Sequence, residues 1–436
     1  MPSRLKVKVW KAQTLPRNWN KRKSTARGKG KNPYKTAKTV INRVKTEGDA
    51  GLRDLTQEFD KVPLPTERLK VTREEIQAAY KEVPEEQITA IRMIKERLEF
   101  REKQTLQLLQ KPIKTSREGI SVQTSWCPID SVGCYVPGGR AVYPSTVVMT
   151  ATPAKVAGVH RIVVCSPPNS KKTVNPLILV AADLCGVDEI YKVGGAQAIA
   201  ALAYGTDKIK AVKKIVGPGS RYVTAAKILV SQDVAIDMPA GPSEVLVLAD
   251  ETANPKLIAA DMISQAEHGA DGVAGLITTS KRLVDEVLSW LEKLAASAER
   301  ADIVSEALSS NGFIIRCKGT EDMVTLANAF APEHLEIVAR NPAEIVDRIT
   351  SAGLILIGQY SPVALSDYGS GTNHVLPTGG FAKSSSGLSV FDFMRRVNIV
   401  ESSKEGLAKL RNHVKVLTEA ENLPNHYKAV EARFEK

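Results

Sequence analysis

The chain has 436 residues, 43% of them hydrophobic and 25% charged, too many for one small core and enough for two or more α/β domains. It holds no run of about 18 apolar residues and does not open on a charged-then-apolar secretory profile, so neither a membrane span nor export is expected. The formal charge of +12 is unevenly spread: residues 1–45 carry 15 Lys or Arg and no Asp or Glu, and the remainder has 45 basic against 48 acidic residues, so nucleic acid is not expected as a partner of the body. The five cysteines (Cys127, Cys134, Cys165, Cys185, Cys317) are odd in number and form no CxxC pair, which points to reduced thiols in a cytoplasmic compartment.

In chain order, residues 1–35 read as a basic, flexible arm, with Lys21-Arg22-Lys23 and Arg27 to Lys31 in a Gly- and Lys-rich context. Residues 36–131 read as mainly helical as far as Thr124, with apolar residues at helix spacing over Ala37–Phe59 and Arg73–Leu109. From there short β-branched runs alternate with helical segments. Strands are expected at Ser131–Val136, Arg161–Cys165, Glu189–Val193 and Lys213–Val216, with helices at Thr146–Val159, Val174–Cys185, Ala196–Ala203 and Tyr222–Gln232. A second series begins at the strand Glu244–Ala249 and runs through helix Pro255–Glu267, strand Gly275–Thr278, helix Leu283–Ala296, strand Phe313–Arg316, helices Glu321–Ala329 and Pro342–Ile349, and strand Gly353–Ile357. The expected fold is α/β, with two doubly wound, incomplete Rossmann-like parallel-sheet domains over 132–241 and 242–378. A small helical C-terminal module is expected over 379–436.

Four glycine-rich turns could expose backbone amides to an anion: Val136–Gly139, Val193–Ala196, Gly217–Ser220 and Ala240–Ser243. No GxGxxG fingerprint accompanies them, and each alone is better read as a tight turn. Ligands in open α/β sheets gather at the carboxyl ends of strands, so several such turns together point there. Of six histidines, His268 closes an apolar-periodic helix three residues after Gln265, so an imidazole and an amide oxygen share one face; taken alone, the segment is better explained by a capping role. In Ala331-Pro332-Glu333-His334-Leu335 the proline interrupts regular structure beside a carboxylate and an imidazole, two groups able to move protons near neutral pH. By itself this reads as a surface pair after a helix. The small-residue loop Ser366–His374 places Asp367 and His374 after a strand, where sites form. On pattern alone His426 is a surface residue, as are His160 and His413.

Taken together these strings resemble the histidinol dehydrogenases, from about Val44 to Glu431. The resemblance includes Gly48-Asp49-Ala50, Tyr135–Gly139, Gly194–Thr206, Asp237–Val247, Ile263–Gly269, Pro332–Ile337, Asp367–Thr378 and Ser386–Phe393. It implies oxidation of L-histidinol to L-histidine through the aldehyde with two NAD, one zinc ion per subunit and a domain-exchanged homodimer. By position it implies zinc ligands Gln265, His268, Asp367 and His426, a general base at His334 and a water-activating carboxylate at Glu333. Substrate contacts would add Ser243, His374 and Glu421, and NAD contacts would be Tyr135, Gln197 and Ser220; His426 and Glu421 would serve the partner subunit's site. Two positions depart from the family pattern: Ser220 replaces the usual Asn of a Gly-Pro-Gly-Asn turn, and Ser366 replaces a Gly before Asp367. One rival is a related zinc/NAD dehydrogenase of another polyol or a sulfonated diol, against which His374 and Glu421 argue. Another is a nucleic-acid-binding protein on an inactive scaffold, against which the complete ligand set argues.

Overall fold

The computed structural model describes residues 5–11, 32–138, 141–239 and 241–435. Gly139, Ala240 and the basic runs of the arm at 21–23 and 27–31 lie outside the described residues. Strand β1 (Lys8–Lys11) does belong to the described part and joins a sheet edge. The 1–35 arm is thus partly structured.

A helix at Pro33–Asp60 follows, started by Asn32, whose side chain accepts from the Tyr34 N–H, and by Pro33 at the first position. It bends at Gly48, where φ is +55°, so the Gly48-Asp49-Ala50 string is a hinge between two helices. Helices Arg73–Glu82 and Glu85–Gln110 come next, separated at Val83-Pro84 because Pro restricts the preceding residue and lacks an N–H. The helical reading to Thr124 then fails. Strands β2 (Ile113–Arg117) and β3 (Ile120–Pro128) form a hairpin across Glu118-Gly119, both at positive φ. Alternation through Ile120, Val122, Thr124 and Trp126 is the strand signal there.

The first β-α series comprises β4 (Ser131–Tyr135), β5 (Arg161–Ser166), β6 (Glu189–Lys192), β7 (Lys214–Val216) and β8 (Ala235–Ile236), with helices between them at Pro144–Ala157, Pro176–Leu184, Gly195–Tyr204 and Arg221–Val230. These strands form a parallel five-stranded sheet in the order β6-β5-β4-β7-β8. The second series comprises β9 (Glu244–Ala249), β10 (Val273–Thr278), β11 (Phe313–Arg316), β12 (His334–Val338) and β13 (Leu354–Ile357). Its parallel sheet repeats that order, β11-β10-β9-β12-β13, with β1 added beside β11. Both expected sheets are therefore present. A helix at Ala301–Asn311 and strand β12 had no counterpart in the sequence reading.

Alternation of side chains puts two apolar faces on each sheet. In the first, Val132, Cys134, Ile162 and Val164 face one helical layer, and Val163, Cys165 and Ile215 face the other. Val245, Val247 and Ala274 oppose Leu246, Leu248, Ile277 and Leu335 in the second. Burial on both faces explains why these strands read as continuous apolar runs. All five thiols are free, and no helix among the described residues is long and apolar enough to cross a membrane.

The C-terminal module is not purely helical. Strand β14 (Met394–Ser402) pairs antiparallel with β3 along its whole length, making a three-stranded sheet with β2, and helices Lys404–Ala420 and Pro424–Glu431 follow it.

Candidate active site

The helix Thr320–Phe330 ends at Ala331, which adopts a left-handed conformation (φ +53°) while its N–H bonds Ala327 O. That reversal, followed by Pro332, delivers Glu333 and His334 directly to the start of β12. Pro332 O and Glu333 O accept from the N–H groups of Gly353 and Leu354, each at 2.9 Å, and His334 lies between Val245 of β9 and Leu354 of β13. Gly353 has to be glycine, since a Cβ there would sit 2.6 Å from Glu333 O. Glu333 and His334 are only 5% and 4% exposed, so the surface-pair reading is incorrect: two strands enclose the dipeptide.

Around it, Glu333 Oε2 accepts from the Glu244 N–H at 2.7 Å. His334 Nδ1 lies 3.8 Å from Glu333 Oε2, and its Nε2 lies 3.9 Å from Asp367 Oδ1; His374 Nδ1 is 3.8 Å from the same oxygen. Asp367 is carried by a short helix, Val363–Tyr368, not by a loop, and that helix packs against Pro255–Ala266, which bears Gln265. His268 follows just past the end of the latter and is exposed in the single chain. Asn373 anchors His374 to the first β-α unit by donating to Met149 O at 2.7 Å. Gly379 N–H bonds Glu244 Oε1 at 3.1 Å, closing the loop after His374 onto the start of β9, next to Ser243. The buried Ser366 donates to Val363 O at 2.7 Å, so that backbone position accommodates its side chain.

Burial dominates the electrostatics. It drives the His334 imidazole down to about 3, helped by like charge on His374 and His268, and His374 down to about 4. It pushes Asp367 up to about 7 and Glu333 well above the carboxylate range, the Glu244 N–H opposing the latter. Both ring nitrogens of His334, Nδ1 of His374, and both amide atoms of Gln265 are buried without a hydrogen-bond partner. Leaving such atoms unpaired costs roughly 1–3 kcal/mol each, so the cluster is built for a ligand.

This cluster lies at the amino ends of β9 and β12. That is the end opposite to the carboxyl ends, where the sequence reading expected ligands to gather; there Asp250 accepts from the N–H groups of Arg340 and Thr252, each at 2.8 Å. In the first sheet the expected residues do lie at the carboxyl ends of strands. Tyr135 ends β4, the Gly217–Ser220 turn follows β7, and the strand order reverses between those two strands. Tyr135 Oη accepts from Gly195 N–H at 3.1 Å, and Gln197 sits in the first turn of that glycine's helix. Ser220 is the N-cap of Arg221–Val230 without using its side chain as a cap.

The family model described as histidinol dehydrogenase matches residues 23–434. The chain belongs to the histidinol dehydrogenase family. Among its relatives, the histidinol dehydrogenase of Clostridium acetobutylicum is 47% identical over 400 residues, 92% of each chain. That of Methanothermobacter thermautotrophicus is 46% identical over 91% of this chain and 92% of its own length. A crystal structure of histidinol dehydrogenase from Elizabethkingia anophelis superposes with a TM-score of 0.91 at 38% identity, covering 98% of both chains. The chain is thus an oxidoreductase of histidine biosynthesis.

Of the residues expected at a histidinol dehydrogenase site, Glu333, His334, Asp367 and His374 are within about 4 Å of a neighbour in the set. Glu421 and His426 are not brought in: both are exposed, Glu421 just past the end of helix Lys404–Ala420 and His426 on helix Pro424–Glu431, with no side-chain hydrogen bond or ion pair among the described residues.

Sequence pattern missed Glu336 and Asp261, a buried carboxyl pair behind the cluster. Glu336 lies two residues beyond His334 on β12, its Oε1 accepts from Val363 N–H at 3.0 Å, and its other partner is Asp261, one turn before Gln265. It thus ties together the three elements that carry His334, Gln265 and Asp367. Burial lifts Asp261 to about 6 and Glu336 well above the usual range, Asp261 adding charge repulsion. Because the folded state holds protons that the unfolded chain releases near pH 4, stability contributed here is present at low pH and lost as pH rises through about 6. Glu336→Gln, which keeps an acceptor for Val363, is expected to be about 1 kcal/mol or more stabler than wild type at pH 8, with the gain shrinking towards pH 5. Denaturant unfolding at both pH values checks this; an equal effect at the two would contradict it.

Proposed function

We propose that the chain oxidises L-histidinol to L-histidine by way of the aldehyde, with two NAD as acceptors, one zinc ion per subunit and a domain-exchanged homodimer. The observation that carries this reading is the set of buried, unpaired polar atoms on Gln265, His334 and His374 around Asp367. These groups suit a zinc-held polar substrate. An amide oxygen, imidazoles and a carboxylate are donors zinc accepts, and Gln265 otherwise has no reason to be buried unpaired. Among the described residues no group of three His, Cys, Asp or Glu lies close enough to hold a metal; the proposed set counts only His268 and Asp367 of those types within one chain, Gln265 being an amide and His426 coming from a second subunit.

Zinc, when bound by Gln265, His268, Asp367 and the His426 of a second copy of this chain, would template the substrate amine and imidazole and so orient its alcohol carbon. Bound NAD supplies the hydride acceptor for each oxidation. His334, held neutral by burial, takes the alcohol proton at Nε2, the nitrogen that faces Asp367. Glu333 is fixed through Oε2 by the Glu244 N–H, which leaves Oε1 to take a proton from the water that hydrates the aldehyde. Ser243, His374 and, from the second copy, Glu421 contact the substrate, and burial of His374 keeps it unprotonated beside the substrate's own cationic groups. Tyr135, Gln197 and Ser220 line the dinucleotide's path at the switch point of the first sheet.

The alcohol and then the hydrated aldehyde each lose a hydride and a proton, four electrons in all. Purified protein given a limiting amount of L-histidinol and excess NAD is therefore expected to form about two NADH per substrate. One NADH with aldehyde released would sink the role of Glu333, and no NADH would sink the reading altogether.

A further inference from the structure

Lys227, on helix Arg221–Val230, forms an ion pair with Asp237, and their side chains are only 3% and 1% exposed. A buried pair of this kind is tolerated only where its remaining hydrogen-bonding capacity is used. Both groups use it on one residue: Lys227 Nζ donates to Gly217 O at 2.9 Å, and Gly217 N–H donates to Asp237 Oδ2 at 2.8 Å. The backbone of Gly217 is thereby gripped at its N–H and its carbonyl. It is held at φ +113°, so close to the end of β4 that a Cβ would lie 2.2 Å from Tyr135 O. At Gly219 a Cβ would lie 2.4 Å from Val223 and 3.1 Å from the Tyr135 ring. Two residues of the pair thus seat the Gly217–Ser220 turn on Tyr135, where the strand order of the first sheet reverses.

We propose that Lys227 and Asp237 are positioning residues for the cofactor, holding the Gly217–Ser220 turn against Tyr135 in the arrangement that binds the dinucleotide. An apolar pair of similar size could fill the same volume but could not grip the Gly217 peptide, so a role in packing alone and a role in positioning have different consequences. The proposal rests on the reading of Tyr135 and Ser220 as NAD contacts, and its test separates the two.

Full-length protein is compared as wild type, Lys227→Met, and the double variant Lys227→Met/Asp237→Leu, which leaves no lone buried charge. Calorimetric titration with NAD, the KM for NAD and for histidinol, zinc content and the unfolding midpoint are measured on each. The double variant is expected to fold, to keep its zinc and a histidinol KM within about twofold of wild type, and to bind NAD on the order of ten- to hundredfold more weakly, as expected when a positioning element shifts by about 1 Å. Wild-type NAD affinity in the folded double variant would overturn the proposal, as would equal losses for NAD and histidinol. Failure of the wild type itself to bind NAD would overturn the cofactor reading beneath it.

Discussion

His334→Ala is expected to slow NADH formation from histidinol by about 10²–10⁴-fold, the usual worth of a positioned general base, while zinc content stays at the wild-type level. Two features of the strand make the effect local. His334 opens β12 between β9 and β13, and the hydrogen bonds that seat it there are made by backbone, Pro332 O and Glu333 O among them, so truncation removes the imidazole without releasing the strand. Burial holds that imidazole neutral well below pH 7, which means wild-type activity should not fall near pH 6.5 through protonation of His334. Glu333→Gln should behave differently. It keeps an acceptor for the Glu244 N–H but no carboxylate to activate water, so the first oxidation continues while the second fails. Trapping of aldehyde with about one NADH per histidinol in this variant, against two in the wild type, checks the division of labour; a wild-type rate for His334→Ala would refute it.

Mixing two inactive variants is expected to restore activity. His268→Ala and His426→Ala each remove a proposed zinc ligand, and each should strip the metal and reduce turnover by about a hundredfold or more. In a domain-exchanged dimer, however, a mixed pair places both lesions in one site and leaves the other intact, so heterodimers should recover about half the activity of wild-type dimers, by the geometry of a two-fold interface. The structural motive is plain. Glu421 and His426 lie exposed in the C-terminal segment that follows β14, while Gln265, His334 and His374 carry buried polar atoms without a partner. Unfolding and refolding the mixture, then assaying NADH formation and zinc content, provides the measurement. No recovery above the sum of the two parents would exclude sharing of the site between subunits.

Legibility in the sequence followed the range of the forces involved. Strands such as Glu244–Ala249 and Phe313–Arg316 were readable to the residue, because a strand buried on both faces has a continuous apolar run, Val245–Ala249 and Phe313–Ile315 here, and the sequence shows that run directly. β12 was not: His334 and Glu336 interrupt its apolar run, and the burial of Glu336 depends on partners that Val363 and Asp261 provide from distant segments. β3 is half-buried along its length and β14 is mostly exposed, so neither carries the apolar run of a core strand; helix spacing nearby outweighed them, and their pairing joins segments more than 250 residues apart.

The same division holds for the site. Sequence alone determined the two β-α series, the glycine turns at the ends of β4, β6 and β7, and the short strings whose order marks the family. Those are local properties, written in period, turn chemistry and residue identity. Only the tertiary structure decided that Glu333 and His334 are buried at the amino ends of β9 and β12, and that Lys227 and Asp237 grip Gly217. Each of these depends on which polar atoms find partners and which do not, and in a folded chain that is settled by contacts between segments far apart in sequence.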